Sequence, residues 1–146
     1  MSAEAPTLRR AGDIILANGL ARGEYVDLLA GDPPLPVDKC PVCPRSAIAL
    51  AVGRDPLFVV DWPMHCDGDP YDEDREGSDA ERAARTEILA AEKRFREYLV
   101  DELGIDATED DDDGGVIERW ADEPGRTASE VVGAFNASAE YEGRAA

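Results

Sequence analysis

Residues 78–104 read SDAERAARTEILAAEKRFREYLVDELG. This stretch decides the fold. Ala84, Ile88, Ala91, Phe95, Tyr98, Leu99 and Leu103 recur at intervals of three and four, the period that lines up one face of an α-helix. Glu87, Lys93, Arg94, Arg96, Glu97 and Asp101 fall mostly on the other faces. Ser78 and Glu81 have the Ser-x-x-Glu spacing in which each side chain satisfies the other residue's backbone N–H. Gly104 suits the left-handed backbone that stops a helix. The spacing predicts one long amphipathic helix over about 79–103, whose apolar face other elements must cover.

The flanking sequence supplies that cover as further helices. Thr7 can cap a helix carrying Leu8, Ala11, Ile14 and Ile15, which the Asn18-Gly19 pair stops. Leu20, Tyr25, Leu28 and Leu29 suggest a short second helix or a turn, ended by Gly31. Four prolines within residues 32–41 make an irregular connection. RSAIALAVG, 45–53, is apolar nearly all round and reads as a buried helix. DPLFVVDW, 55–62, fits a short strand or an edge of the core, which periodicity over four residues does not separate. DATEDDDDGG, 106–115, reads as a solvated loop, and VIERWAD, 116–122, as a helical turn. Thr127 and Glu130 form a second capping box before Ala128, Val131, Val132 and Phe135. The expected fold is all-α: a small orthogonal bundle of about five helices with an acidic irregular middle and at most one short strand. Residues 1–146 form a single domain, with flexible ends at 1–6 and 141–146 and acidic loops at 66–78 and 104–115.

Charge is the dominant surface property. There are 33 acidic against 15 basic residues, a net charge of −18. Residues 66–123 alone hold 22 acids and 7 bases, so the middle of the chain carries nearly all of the excess. Such a field opposes direct binding to nucleic acid or anionic lipid. No apolar run is long enough to span a bilayer, and MSAEAPTLRR lacks the basic start and apolar core of a secretory signal. The expectation is a soluble cytoplasmic protein. Three cysteines do not suggest a disulfide framework.

Cys40-x-x-Cys43 has the spacing of half a zinc knuckle, and His65 with Cys66 would complete a Cys₃His set. Adjacent residues rarely both reach one metal, and free cysteines are commonly buried, so paired buried thiols are the competing reading. Glu109, Asp111, Asp113, Gly114 and Val116 match calcium-loop positions, but Trp120 stands where the bidentate glutamate belongs. Catalytic machinery is sparse. His65 is the single histidine, Cys43 with His65 is the one nucleophile–base pair to consider, and there is no glycine-rich phosphate loop. The expectation is a protein that is not an enzyme and needs no cofactor, with zinc as the alternative.

Three blocks resemble a known family. Gly19-Leu20-x-x-Gly23-x-Tyr25 follows the first helix and resembles GW-x-x-G-x-Y, and Cys43-x-x-Ser46-Ala47 resembles C-x-x-G-A. Trp120-Ala121-Asp122 with Pro124-Gly125-Arg126-Thr127-x-x-Glu130-Val131 resembles WND-x-PGRT-x-x-EV. Together they are similar to a small uncharacterised family, a domain of unknown function, of actinobacteria and their phages. Leu20, Ser46 and Ala121 depart from the pattern. The resemblance implies a fold and a genomic setting (host cytoplasm, if phage-encoded) but no activity. Trp120, Arg126, Thr127 and Glu130 are read as structural: a core plug, a turn and a cap.

The functional expectation is therefore a non-catalytic acidic interaction protein whose anionic middle imitates a phosphate array and meets a basic protein partner. The candidate partner-binding residues are Asp72, Glu73, Asp74, Glu76, Asp110, Asp111, Asp112 and Asp113. The alternative is a small structural or regulatory domain with the Cys₃His zinc site, its surface acidic only for solubility or salt adaptation.

Overall fold

The structure, a computed structural model, describes residues 4–59, 77–106 and 113–141. Those residues contain five α-helices: α1 (Ala5–Asn18), α2 (Pro44–Ala51), α3 (Asp79–Leu103), α4 (Asp113–Ala121) and α5 (Ala128–Glu140). They form no sheet, so the fold is all-α. Helix α1 packs most extensively on α5 and next on α2, while α3 packs on α4 and α5.

Helix α3 follows its sequence closely. Ser78 Oγ accepts from Glu81 N–H at 3.1 Å, and the Glu81 carboxylate accepts from Ser78 N–H at 2.8 Å. Gly104 takes the left-handed conformation at φ +67° and ends the helix. Ile88, Ala91, Phe95 and Leu99 are fully buried. Phe95 stacks on Phe135 of α5 with ring centroids 4.5 Å apart and meets Trp120 of α4 edge-on at 5.8 Å. This aromatic trio joins the three C-terminal helices. Leu103 is the exception on the expected face, being exposed.

Three expectations change. Helix α1 starts at Ala5, with Pro6 in its first turn, so residues 5 and 6 are not a free end. Thr7 is therefore not a cap. It is buried in the helix, and its hydroxyl donates to Glu87 of α3 at 3.1 Å. Of the two readings of residues 20–31, the turn holds and the helix does not, because Ala21, Tyr25 and Asp27 pair through their backbone with residues 41–43. Helix α4 begins at Asp113, inside the stretch read as a loop. Gly114 and Gly115 are poor helix formers, but burial of Val116, Ile117 and Trp120 overrides propensity. Residues 56–59 form a turn with Phe58 in the core, and residues 60–62 lie outside the described residues.

The α1–α5 contact has a steric requirement. A Cβ on Gly12 would sit 3.3 Å from Phe135 Cβ and 3.7 Å from the Val132 carbonyl oxygen. Glycine lets the two helix backbones approach closely at this point.

Candidate functional site

The site is built by the segment read as a short second helix or a turn, which is a looped turn. Val42 is bracketed from both sides, by Leu20 in parallel and by Val26 in antiparallel. Ala21 N–H donates to Val42 O at 3.0 Å, Val42 N–H to Gly19 O at 3.2 Å, and Cys43 N–H to Tyr25 O at 2.9 Å. Residues 19–27 thus loop around Pro41–Cys43 and hold Tyr25 beside Cys43. Gly19 and Gly23 take positive φ, which lets the loop turn twice within five residues. Gly23 N–H donates to Asp122 Oδ1 at 2.9 Å, tying the loop to the end of α4.

Cys43 occupies the N-cap position of α2, and Arg45 projects from the first turn. Arg45 Nε donates to Glu92 of α3 at 2.9 Å, and Arg45 Nη1 donates to Glu118 of α4 at 2.7 Å. The Glu92 side chain is 2% exposed, so this is a buried charge that depends on its partner. Burial alone would lower the basicity of Arg45, but the two carboxylates more than offset that and its pKa is raised. One guanidinium therefore clamps three helices.

Above the clamp lies a cavity of about 160 Å³, lined by Gly23, Glu24, Tyr25, Cys43, Glu118 and Asp122, with Ala121. Burial pushes the Tyr25 phenol above its ordinary value, and the Glu118 carboxylate adds to that. Burial likewise pushes the Cys43 thiol up, against hydrogen bonds from Ser46 that pull it down. Both groups are neutral at pH 7, while the cavity's charged lining is entirely carboxylate.

The two thiols of the described residues are free and buried. Cys40 Sγ donates to Pro36 O at 3.4 Å, and Cys43 Sγ donates to Ser46 Oγ at 3.6 Å. Their arrangement is that of two separate core thiols, each with its own acceptor. No three His, Cys, Asp or Glu groups are placed to hold a metal ion among the described residues. His65 and Cys66 lie outside the described residues, as do Asp72, Glu73, Asp74, Glu76, Asp110, Asp111 and Asp112. Asp113 is the first residue of α4.

A raised pKa for both Cys43 and Tyr25 means the folded state keeps protons that the unfolded chain gives up. Their contribution is fully present below the unfolded values and is lost as pH rises through the folded ones. In a Cys66→Ser variant, Cys40 and Cys43 should react with an aromatic disulfide at least roughly 100-fold more slowly at pH 8 than in denaturant. Thermal stability should fall as pH climbs past about 9, the ordinary thiol range. A fast native thiol at pH 8 would contradict the buried placement.

The third sequence block supports the site from below. Trp120 is buried, and the Arg126 guanidinium lies 4.4 Å from its ring centroid. Arg126 also donates to Trp120 O at 3.1 Å, to Glu123 at 2.8 Å and to Glu130 at 2.8 Å. Thr127 Oγ1 accepts from Glu130 N–H at 3.1 Å and caps α5. The Arg126 hydrogen bond holds the exposed Glu130 carboxyl below its usual range, so what that contact stabilises is present above the unfolded carboxylate pKa and lost as pH falls through the folded one.

Arg45, Glu92 and Glu118 are the residues that sequence reasoning missed. Glu92 does carry a signal: it lies four residues after Ile88 and three before Phe95, on the apolar face. No curated protein and no solved structure matches the chain. Residues 1–141 match the model of a family of unknown function, and the chain belongs to that family, DUF6197.

Proposed function

We propose that the protein is a non-catalytic acidic interaction protein that docks a basic partner, with nucleic-acid-binding proteins as the class of partner. The observation that carries this reading is the net charge of −18, with part of the positive charge engaged inside the fold. Arg45 and Arg126 are held in carboxylate pairs. Arg94 donates to the Ser138 and Ala139 carbonyls at the end of α5, and Arg119 donates to the Asp106 carbonyl. Arg82 binds Gly77 O and Asp79. These cations join helices and loop ends of their own fold. Arg10, Arg22, Lys39 and Lys93 stand exposed as Asp13, Glu24, Asp32, Asp38 and Glu102 do, but acids outnumber bases by 33 to 15. A field of that sign steers cationic surfaces toward the chain and repels phosphate.

Capture on the immobilised full-length chain tests the proposal. Basic nucleic-acid-binding proteins should be enriched at about 0.1 M salt and released at about 1 M, as the Debye length shrinks from roughly 10 Å to roughly 3 Å. Duplex DNA added in solution should compete for them. Bound proteins that are neither basic nor salt-sensitive would sink the reading.

A further inference from the structure

Among the described residues, the large apolar side chains that stand exposed are not spread evenly. Leu28, Leu29, Leu35 and Val37 fall within one ten-residue stretch, while Leu16 and Leu103 lie far from it in the chain. Leu29 is 91% exposed. A single exposed leucine needs no explanation, but a group of them rimmed by charge marks an interaction surface. We infer that residues 28–37 are the face on which the basic partner docks, and that the docking segment is amphipathic, with bulky apolar side chains flanked by lysine or arginine. This face rests on the acidic-docking reading above and gives it a location.

The stretch is held in place by its own hydrogen bonds. Leu29 N–H donates to Asp27 Oδ1 at 3.1 Å and Ala30 N–H to Asp27 O at 3.4 Å, so Leu28 and Leu29 are the central residues of a turn. Leu35 N–H reaches back to Ala30 O at 3.4 Å. This closes the chain over Gly31, at φ +84°, where a Cβ would lie 2.9 Å from Leu35 Cγ. Asp27 N–H donates to Pro41 O at 2.9 Å, and Asn18 Nδ2 donates to Asp38 O at 2.9 Å, tying both ends to the helical body. The leucines are thus presented before a partner arrives, which lowers the entropy cost of binding.

Hydrogen-bonding chemistry selects the partner. Residues 24–38 carry Glu24, Asp27, Asp32 and Asp38 and no base, with Arg22 and Lys39 standing outside this stretch at either end. The backbone of residues 33–36 has no N–H left to donate: three of the four are prolines, and the Leu35 N–H is bonded to Ala30 O. A face that is apolar and anionic and short of donors complements lysine and arginine, whose side chains only donate. The same property disfavours other occupants. The matching loop of a second copy would set carboxylates against carboxylates, and an anionic lipid would set phosphates against them.

The test uses the full-length chain, backbone-amide NMR and a synthetic amphipathic peptide of leucine and lysine. The peptide should shift the Leu28, Leu29, Leu35 and Val37 amides saturably. A Leu28→Ser, Leu29→Ser variant, altered at two exposed positions, should keep its melting temperature and bind at least roughly tenfold more weakly. Asp32→Asn with Asp38→Asn should weaken binding at low salt and leave it unchanged at high salt. Equal binding of a serine–lysine peptide of the same charge, or unchanged affinity in the leucine variant, overturns the apolar face. Equal binding of a leucine–glutamate peptide overturns the selection for a basic segment. Dimerisation of the chain alone, or sedimentation with phosphatidylcholine vesicles, that the leucine variant abolishes would assign the face to a second copy or to lipid and overturn the inference. Absence of peptide binding while salt-sensitive capture of basic proteins persists overturns this face alone, and loss of both overturns the docking reading with it.

Discussion

Phe95→Ala should lower the unfolding free energy by about 4 kcal/mol, within the ~3–5 kcal/mol that truncating a buried phenylalanine costs. The size of the loss follows from position. Phe95 is fully buried at the middle of α3, stacked on Phe135 and edge-on to Trp120. Removing its ring takes a partner from α4 and α5 at once, and close-packed helices relax only partly into the space. Against a typical total of 5–15 kcal/mol, such a loss leaves little margin. Urea unfolding should show a lower midpoint with an unchanged slope, and Phe95→Leu should lose about 1.5 kcal/mol or less. A cost near that of a surface substitution for Phe95→Ala would show that the trio is not the centre of the core.

Arg45→Met should cost a similar amount, about 3–5 kcal/mol, for a different reason. The methionine fills much of the arginine's volume, so little packing is lost. What remains is Glu92, a carboxylate with a 2%-exposed side chain and its guanidinium removed. Breaking a buried ion pair by removing one partner costs far more than the intact pair contributes. The double variant Arg45→Met, Glu92→Met should therefore recover most of the lost stability, since it removes both charges together. The coupling is read from a double-mutant cycle by urea unfolding. Additive losses in the double variant would mean the two side chains act independently. Glu118→Gln should cost less than Arg45→Met, because the Glu118 side chain is 31% exposed and water can replace the contact.

The parts of the fold that were legible are those where one local rule and the packing agree. In α3 the three-and-four spacing, the Ser78–Glu81 box and Gly104 all specify the same element, and each is present. The cap on α5 was legible from Thr127, but in place of the expected reciprocal box the Glu130 carboxylate accepts from Arg126 and from the Thr127 hydroxyl. The loop of residues 19–27 was not, because its hydrogen bonds run to residues 41–43 and leave no periodic trace. Asp113–Gly115 misled for the opposite reason: two glycines argue against a helix that the burial of Trp120 and Ile117 enforces. The cavity was the least legible feature. Its walls come from three separated stretches, and its foundation, Arg45 with Glu92, pairs residues 47 apart. A charged residue at an apolar helical position, such as Glu92, is the one hint a sequence can offer of such a partner.

The pairing of α1 with α5, closed at Gly12 and Phe135, has a consequence for how the chain acquires its shape. A ribosome delivers α1 first, yet the largest surface that covers it belongs to residues 128–140. Until those residues leave the exit tunnel, the Gly12 face of α1 lacks its neighbours Val132 and Phe135. The nascent polypeptide should stay protease-sensitive until α5 emerges and become resistant in one step.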